Sequence, residues 1–227
     1  MAVPVDRRVP LNRERVLRAA MELADEGGLD ALSMRKLGHS LGVEAMSLYN
    51  HVTNKDDLLD GIADLVLAEF KLPSQGEDWE EAIWKCAISG HDALLRHSWA
   101  CNLIMSSSRI RPSRLRYMES ILACFRQAGF SPEETSHAYH AVDSHILGFT
   151  LWQLGHVMPA TFPQIRSKEE LAVLIATWLP GLSIGEFPYL LEHAEQHLRV
   201  RRPDEEGAFE LVLRLILDGL KRMRDAF

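Results

Sequence analysis

Cysteine is scarce in this chain. Cys86, Cys101 and Cys124 are the only three in 227 residues, and no CxxC pair occurs. A disulfide framework and a cysteine-based zinc site are therefore not expected, and the thiols read as reduced, mostly buried groups of a cytoplasmic protein. Long apolar runs are missing as well. The most apolar-looking stretch, residues 138–158, carries Asp143, His145, Gln153 and His156, whereas a membrane span needs about 20 mostly apolar residues. The opening "MAVPVDRRVP" has no apolar signal-peptide core, so no membrane is expected among the partners. GxSxG, P-loop and HExxH motifs are absent, and the Ser106-Ser107-Ser108 run reads as a loop, so no enzyme is expected. No motif asks for a cofactor. Positive charge is also in short supply: 25 Lys and Arg stand against 32 Asp and Glu, for a net charge of −7. At first sight that argues against a nucleic-acid partner.

The charge is unevenly placed, though. Residues 1–55 hold eight basic side chains (Arg7, Arg8, Arg13, Arg15, Arg18, Arg35, Lys36 and Lys55) against seven acidic ones. The rest of the chain keeps 17 basic and 25 acidic groups. An acidic body with a near-neutral head can bind DNA if the head gathers its cations on one face. The length allows one large or two modest domains, and 47% hydrophobic residues are enough for a buried core.

Nearly every periodic segment is helical, and no alternating strand pattern or internal repeat appears. Asn12 is placed to cap a helix with Val16, Ala20, Leu23 and Ala24 on one face; Leu11 and Val16 suit a hydrophobic staple, and Gly27-Gly28 ends the run. Ser33 caps "MRKLGHSLG". Thr53 or Asn54 caps a further helix with Leu58, Ile62, Leu65 and Val66 inward and an acidic first turn that suits its dipole. Pro73 to Asp78 is a break. Residues 1–55 thus read as a three-helix head, residues 56–71 as a bridge, and residues 72–227 as the body. In the body, Trp79, Ile83, Cys86, Gly90 and Leu94 form one stripe, and Leu115, Met118, Leu122 and Phe125 another. "SPEE" at 131–134 is a capping box opening a helix with Val142, His145, Phe149, Trp152 and His156 on one face. Residues 157–186 read as loops around a short helix at 169–178. The last helix places Phe209, Leu213, Ile216 and Leu220 on one side and Val212, Leu215 and Gly219 beside them, an apolar arc wider than one core needs.

Within the head, Leu37-Gly38, Leu41-Gly42-Val43 and Leu48 follow helix-turn-helix spacing. Leu37, Leu41, Val43 and Leu48 would bury where two helices cross, Gly38 would admit the second helix, and Gly42 would supply positive φ for the turn. An ordinary helical hairpin shares part of this pattern. The second helix, "EAMSLYNH", nevertheless leaves large groups with polar tips pointing outward. Read as a recognition helix, it would bring Glu44, Ala45, Met46 and Ser47 to base edges. Ala45 and Met46 would make apolar contacts, for example with a thymine methyl, and Asn50 is the amide able to pair with adenine. Tyr49, His51, Ser33 and Lys55 are placed for phosphates, Arg35 for guanine or a phosphate, and Arg7 and Arg8 for the backbone or minor groove. Glu44 would be repelled unless it caps its own helix or meets a cytosine amine. Tyr49 also has a ring that can pack and a hydroxyl that can bond.

The stretch "LSMRKLGHSLGVEAMSLYNHVTNKDDLLDGIADLVL" resembles the DNA-binding head of TetR/AcrR-family transcriptional regulators through its "LxxRxLxxxLGVxxxxLYxHVxNKxxLL" framework. The resemblance is firm over residues 12–70 and looser beyond. It implies an all-α chain: a helix-turn-helix head followed by a helical ligand-binding and dimerisation bundle. It also implies a homodimer on a double-stranded DNA operator, with repression relieved by a small-molecule effector. Arg35, Ala45, Met46, Ser47, Tyr49, His51 and Lys55 match family positions that contact DNA. Asn50 stands where an aromatic is frequent, and Met46 where tetracycline repressors carry proline, so base preference does not transfer.

Residues 133–157 and 206–225 offer wide apolar faces with Gly148, Gly155 and Gly219 for close approach, which suits a four-helix bundle across a two-fold axis. A ligand pocket is expected near Trp84, Phe125, His145, Phe149, Trp152 and Trp178; the plain alternative is that these residues are core. His137 and His140 form an i,i+3 pair, the minimum for a shared ligand face, but histidine also fills polar gaps in bundles, and no metal is expected. A regulator that activates, or that senses a protein partner or no ligand, is the alternative reading.

Overall fold

The structure, a computed structural model, describes residues 10–106, 111–155, 167–178, 184–189, 192–193 and 207–226. Arg7, Arg8 and His156, the Ser107-Ser108 pair and the side chains of Ser106 and Trp178 lie outside the described residues. The described residues form helices and no strand: α1 (Arg13–Ala31), α2 (Met34–Leu41), α3 (Ala45–Leu48), α4 (Lys55–Leu67), α5 (Trp79–Arg96), α6 (Ser98–Ser106), α7 (Pro112–Gln127), α8 (Pro132–Gln153), α9 (Lys168–Trp178) and α10 (Ala208–Asp225). No helix among them is long and apolar enough to cross a membrane.

Local chemistry sets most helix starts. Asn12, Ser33, Asn54 and Asp78 each accept the N–H three residues on, at 2.8–3.2 Å, which satisfies a donor the helix itself leaves open. Asn54, not Thr53, caps α4. Ser131 and Glu134 close a reciprocal capping box on α8. The regular part of α1 ends at Gly28, whose φ of 72° breaks the helix before a last turn to Ala31.

Residues 1–154 and 209–227 make one compact unit, and residues 155–208 a second. In the first unit, α1 buries Val16, Leu17, Ala20 and Ala24 against Leu37, Leu48, Val52, Leu58 and Ile62, which is the core of the head. The same α4 buries Val66 and Leu67 farther along, so it lies in one core that runs on from the head into the rest of the unit. The stripe Trp79, Ile83, Cys86, Gly90 and Leu94 is buried as spacing predicted. Two faces differ from expectation. On α7 the inward residues are Ser113, Tyr117, Ile121 and Phe125, while Leu115 is 51% exposed. The helix is rotated so that Tyr117 and Ser113 join Ile121 and Phe125 inside, because Arg114 and the Tyr117 hydroxyl meet Asp143 at 2.5 and 3.0 Å. On α10 Leu217 is buried with Phe209, Leu213 and Leu220, and Ile216 is only half-buried. Leu211, Val212 and Leu215 remain exposed on a second face. The second unit contains α9, capped by Ser167, and a short 3₁₀ turn at Ile184–Glu186.

Candidate nucleic-acid interface

Two glycines lock the α2–α3 corner. Gly42 adopts φ 68° and ψ 32°, the left-handed conformation that closes a helix, and its N–H turns back to Gly38 and His39. Val43 N–H donates to the Gly38 carbonyl at 2.9 Å, tying the start of the next helix to the end of the last. A Cβ at Gly38 would lie 2.8 Å from the Val43 carbonyl and 3.1 Å from the Ala45 nitrogen, so the two helices touch backbone to backbone there. Leu37 and Leu48 are fully buried at this crossing, and Leu41 and Val43 are half-buried at its rim.

The outward side of α3 is correspondingly open. Met46 is 75% exposed and Tyr49 45%. Asn50, Lys55, Ser33 and Arg35 are exposed, while Ala45, Ser47 and His51 are half-buried. Glu44 occupies the N-cap position of α3, but its side chain makes no capping bond and stays exposed. Of the two ways sequence reasoning offered to reconcile Glu44 with DNA, capping its own helix is thereby removed. Ser33 and Lys55 stand at the first turns of α2 and α4, where backbone N–H groups and the helix dipole favour an anion.

Several residues that hold this surface were not singled out in the sequence. Arg13 donates to the His51 carbonyl at 2.8 Å and forms a fork on Asp57 at 2.6 and 3.0 Å. Those hydrogen bonds hold the Asp57 carboxyl down to about 2. Along the same helix, Asp60 is paired by buried Arg111 at 2.8 Å, and Asp64 accepts from the Ser113 hydroxyl. Just beyond α4, Glu69 meets Arg96 at 2.5 Å and His97 at 3.1 Å; the other ring nitrogen of His97 lies 2.8 Å from Asp25 on α1. Trp99 Nε1 also donates to Asp25, at 2.6 Å. Of the α4 acids Asp57, Asp60 and Asp64 only the first turn was legible, as dipole-compatible; their side-chain partners come from α1 and the start of α7.

The expected pocket residues do not converge. Phe125 is fully buried, packed with Trp79 and Phe130 at ring-centroid distances of 5.9 and 5.1 Å, and is a core residue. Trp84 lies half-buried under the Arg214 guanidinium at 5.6 Å, on a groove between α5 and α10. His145, Phe149 and Trp152 do form a connected row on α8. Phe149 lies 5.4 Å from His145 and 5.6 Å from Trp152, which is 44% exposed. Phe209 joins them: the rings of His145 and His91 stack on it at 4.5 and 3.9 Å. The Thr150 hydroxyl donates to the Ile146 carbonyl at 2.5 Å, so it accepts from His91 Nδ1–H at 2.7 Å. His145 Nε2–H donates to the Phe209 carbonyl at 2.9 Å. Burial lowers the pKa of both imidazoles. His137 and His140 face solvent, with His137 3.8 Å from Glu133. Among the described residues no group of three or more His, Cys, Asp or Glu is arranged to hold a metal ion.

Comparisons with known proteins agree with this geometry. Residues 16–62 match the family model described as bacterial regulatory proteins, tetR family, and residues 72–224 match that of the tetracyclin repressor-like C-terminal domain. The class D tetracycline repressor protein of Escherichia coli is 36% identical over 170 residues, covering 73% of this chain and 77% of that protein. The crystal structure of the Streptomyces coelicolor TetR family protein ActR in complex with (S)-DNPA superposes with a TM-score of 0.71 at 27% identity, covering 95% of this chain and 99% of that one. A crystal structure of BioQ with its double-stranded DNA operator matches with a TM-score of 0.56 at 30% identity, covering 64% of this chain and 89% of that one.

Proposed function

The chain belongs to the TetR family of DNA-binding transcriptional regulators, and on that premise we propose that it is a homodimeric, cytoplasmic repressor released from a palindromic operator by a small molecule. Residues 1–55 form the DNA-binding head, residues 56–71 the bridge and residues 72–227 the effector-binding and dimerisation body. The observation that carries this reading is the outward face of α3. It displays Met46 and Tyr49 while Leu48 anchors the helix from behind. Ala45, Met46 and Ser47 face base edges, with Asn50 available to an adenine. Tyr49, His51, Ser33 and Lys55 take phosphates, and Arg35 takes guanine or phosphate.

The exposed Leu211, Val212 and Leu215 on α10, with Gly148 on α8 open to approach, support pairing of two copies along these helices. Such a dimer sets its heads about one helical turn apart, ~34–36 Å. The effector is an aromatic compound that reaches the open end of the row, at half-buried Phe149 and exposed Trp152. ActR, the neighbour bound to (S)-DNPA, supports a small-molecule role for the body. The ligand shifts operator affinity only by its preference for one body conformation. The helix that carries the shift is α4, which touches head and body through Asp57, Asp60 and Asp64.

A direct test selects duplexes from a random pool on the purified protein and measures their binding by gel retardation. The wild type should retain a palindromic sequence, and Tyr49→Ala/Lys55→Ala should weaken it at least tenfold, the scale of two lost phosphate contacts. Selection of no palindrome, or unchanged binding by the double variant, would refute the reading.

A further inference from the structure

The helix that displays the proposed contact residues is too short to hold its own shape. α3 has four residues, and its continuation rests on i→i+3 bonds: Tyr49 N–H to Met46 at 3.3 Å, Asn50 N–H to Ser47 at 3.4 Å and His51 N–H to Leu48 at 2.9 Å. Helices of this length are unstable in water without outside support. Leu48 fixes the middle of the segment, and buried Val52, whose N–H donates to the Leu48 carbonyl at 3.0 Å, anchors the chain just past it; the His51 carbonyl at the polar end, where Tyr49, Asn50 and His51 stand, has a further tie.

That further tie comes from the first residue of α1. Arg13 Nη1 donates to the His51 carbonyl at 2.8 Å and to Asp57 Oδ2 at 3.0 Å, and Nη2 donates to Asp57 Oδ1 at 2.6 Å. Asp57 Oδ2 also accepts from Thr53 N–H at 2.7 Å, and Asp57 N–H donates to Asn54 Oδ1 at 2.8 Å. One guanidinium and one carboxylate thus tie down the end of α3, the turn after it and the first turn of α4. We propose that Arg13 and Asp57 are a positioning pair: neither reads DNA, and together they set operator affinity by holding the turn that carries Tyr49, Asn50 and His51. This rests on α3 being the recognition helix. Arg13 is drawn into a planar fork that a lysine cannot reproduce. With its carboxyl held down to about 2 by Arg13, Asp57 stays ionised wherever operator binding is measured.

The rival account is that Arg13 is simply one more phosphate-binding cation. The two accounts predict opposite signs at Asp57. Removing a carboxylate from a DNA-facing head relieves repulsion and should tighten binding if the pair does not position anything. Removing it from the clamp should weaken binding.

The experiment uses the full-length protein, the duplex selected on the wild type, and a scrambled duplex of the same composition, with Asp57→Asn, Arg13→Ala, Arg13→Lys and Arg13→Ala/Asp57→Asn. Asp57→Asn and Arg13→Ala should each bind the selected duplex about tenfold more weakly, in keeping with loss of a charge-assisted hydrogen bond. Arg13→Lys should fall between Arg13→Ala and the wild type, and the double variant should be no weaker than the weaker single one. Asp57→Asn should bind the scrambled duplex at least as tightly as the wild type, a result that general loss of fold would not give. Should Arg13→Ala misfold, Arg13→Lys and Asp57→Asn carry the comparison. Equal or tighter binding of the selected duplex by Asp57→Asn, or a double variant weaker by the product of the two single losses, overturns the positioning role. A wild type that selects no duplex overturns it through the DNA reading itself, and the two failures are thereby told apart.

Discussion

Replacing Gly38 by alanine tests whether the α2–α3 crossing sets the recognition surface. In an exposed helix interior this substitution stabilises by about 1 kcal/mol, because glycine loses more backbone freedom on folding. Here the new Cβ would lie 2.8 Å from the Val43 carbonyl, 3.1 Å from the Ala45 nitrogen and 3.2 Å from the Ala45 Cα. All three are backbone atoms, so no rotamer change relieves the contact; the start of α3 has to move away by roughly half an ångström. Such overpacking typically costs 1–3 kcal/mol. Net stability should therefore fall by about 0–2 kcal/mol, a modest change in melting temperature. Operator binding should fall more. The displaced segment begins at the residues proposed for base edges, where placement within about 0.5 Å matters. The penalty also enters twice in a two-fold complex: about 1 kcal/mol lost per half-site is about 2 kcal/mol in all, or roughly thirtyfold in affinity. Fluorescence anisotropy on the selected duplex gives the affinity, and thermal melting followed by circular dichroism gives the stability. A Gly38→Ala protein that melts higher and binds as tightly as the wild type would show that the close backbone contact does not position α3.

Two further outcomes follow from the body. The lowered pKa values of His91 and His145 mean that the unfolded chain takes up protons first as pH falls below about 6.5, so the stability held at neutral pH drains away on acidification, by at most about 1.4 kcal/mol per proton per pH unit; urea midpoints should fall between pH 7.5 and 5.5 and fall less in His91→Gln/His145→Gln, and equal slopes in the two proteins would contradict this. Leu215 is 60% exposed in the single chain, so if the chain pairs along α10 as proposed, Leu215→Glu should give a folded monomer in sedimentation analysis where the wild type gives a dimer, and a persistent dimer would place the interface elsewhere.

What could be read from the residues was what is decided within a few positions of itself. Asn12, Ser33, Asn54 and Ser131 cap helices because a side-chain oxygen reaches an N–H three residues away. Gly38, Gly42 and Leu48 were legible because the whole corner spans about a dozen residues. The Arg13 clamp was not legible. Its partners are 38 and 44 positions away, and before folding Arg13 resembles any other exposed cation. The inward face of α7 was misjudged because aliphatic spacing was the only signal, whereas Tyr117 and Arg114 are drawn in by Asp143 on α8. The pocket residues scattered for a similar reason. An aromatic side chain fills a core as readily as it lines a cavity, and only neighbours such as Trp79 and Phe130 around Phe125 decide which.

The net charge of −7, which first spoke against a DNA partner, has a structural resolution. What a phosphate backbone meets is the local field, because solvent-exposed charges more than about 8–10 Å apart are largely screened at ordinary salt. On α4, three of the four acids are compensated: Asp57 and Asp60 are each paired with an arginine and Asp64 is held by a hydroxyl, while Asp56, like Glu44 before α3, stays exposed. Arg35, Lys36 and Lys55 meanwhile remain exposed around the α2–α3 corner. The same pairing explains how one helix can serve both the head and the body. Apolar contacts alone would hold α4 against its neighbours with little preference for register, since burial is not directional. Ion pairs and hydrogen bonds at successive turns fix where it sits along its axis. A body conformation that displaces Arg111 or Ser113 would therefore draw Asp60 and Asp64 with it, and through Asp57 and Arg13 would move the turn that carries Tyr49.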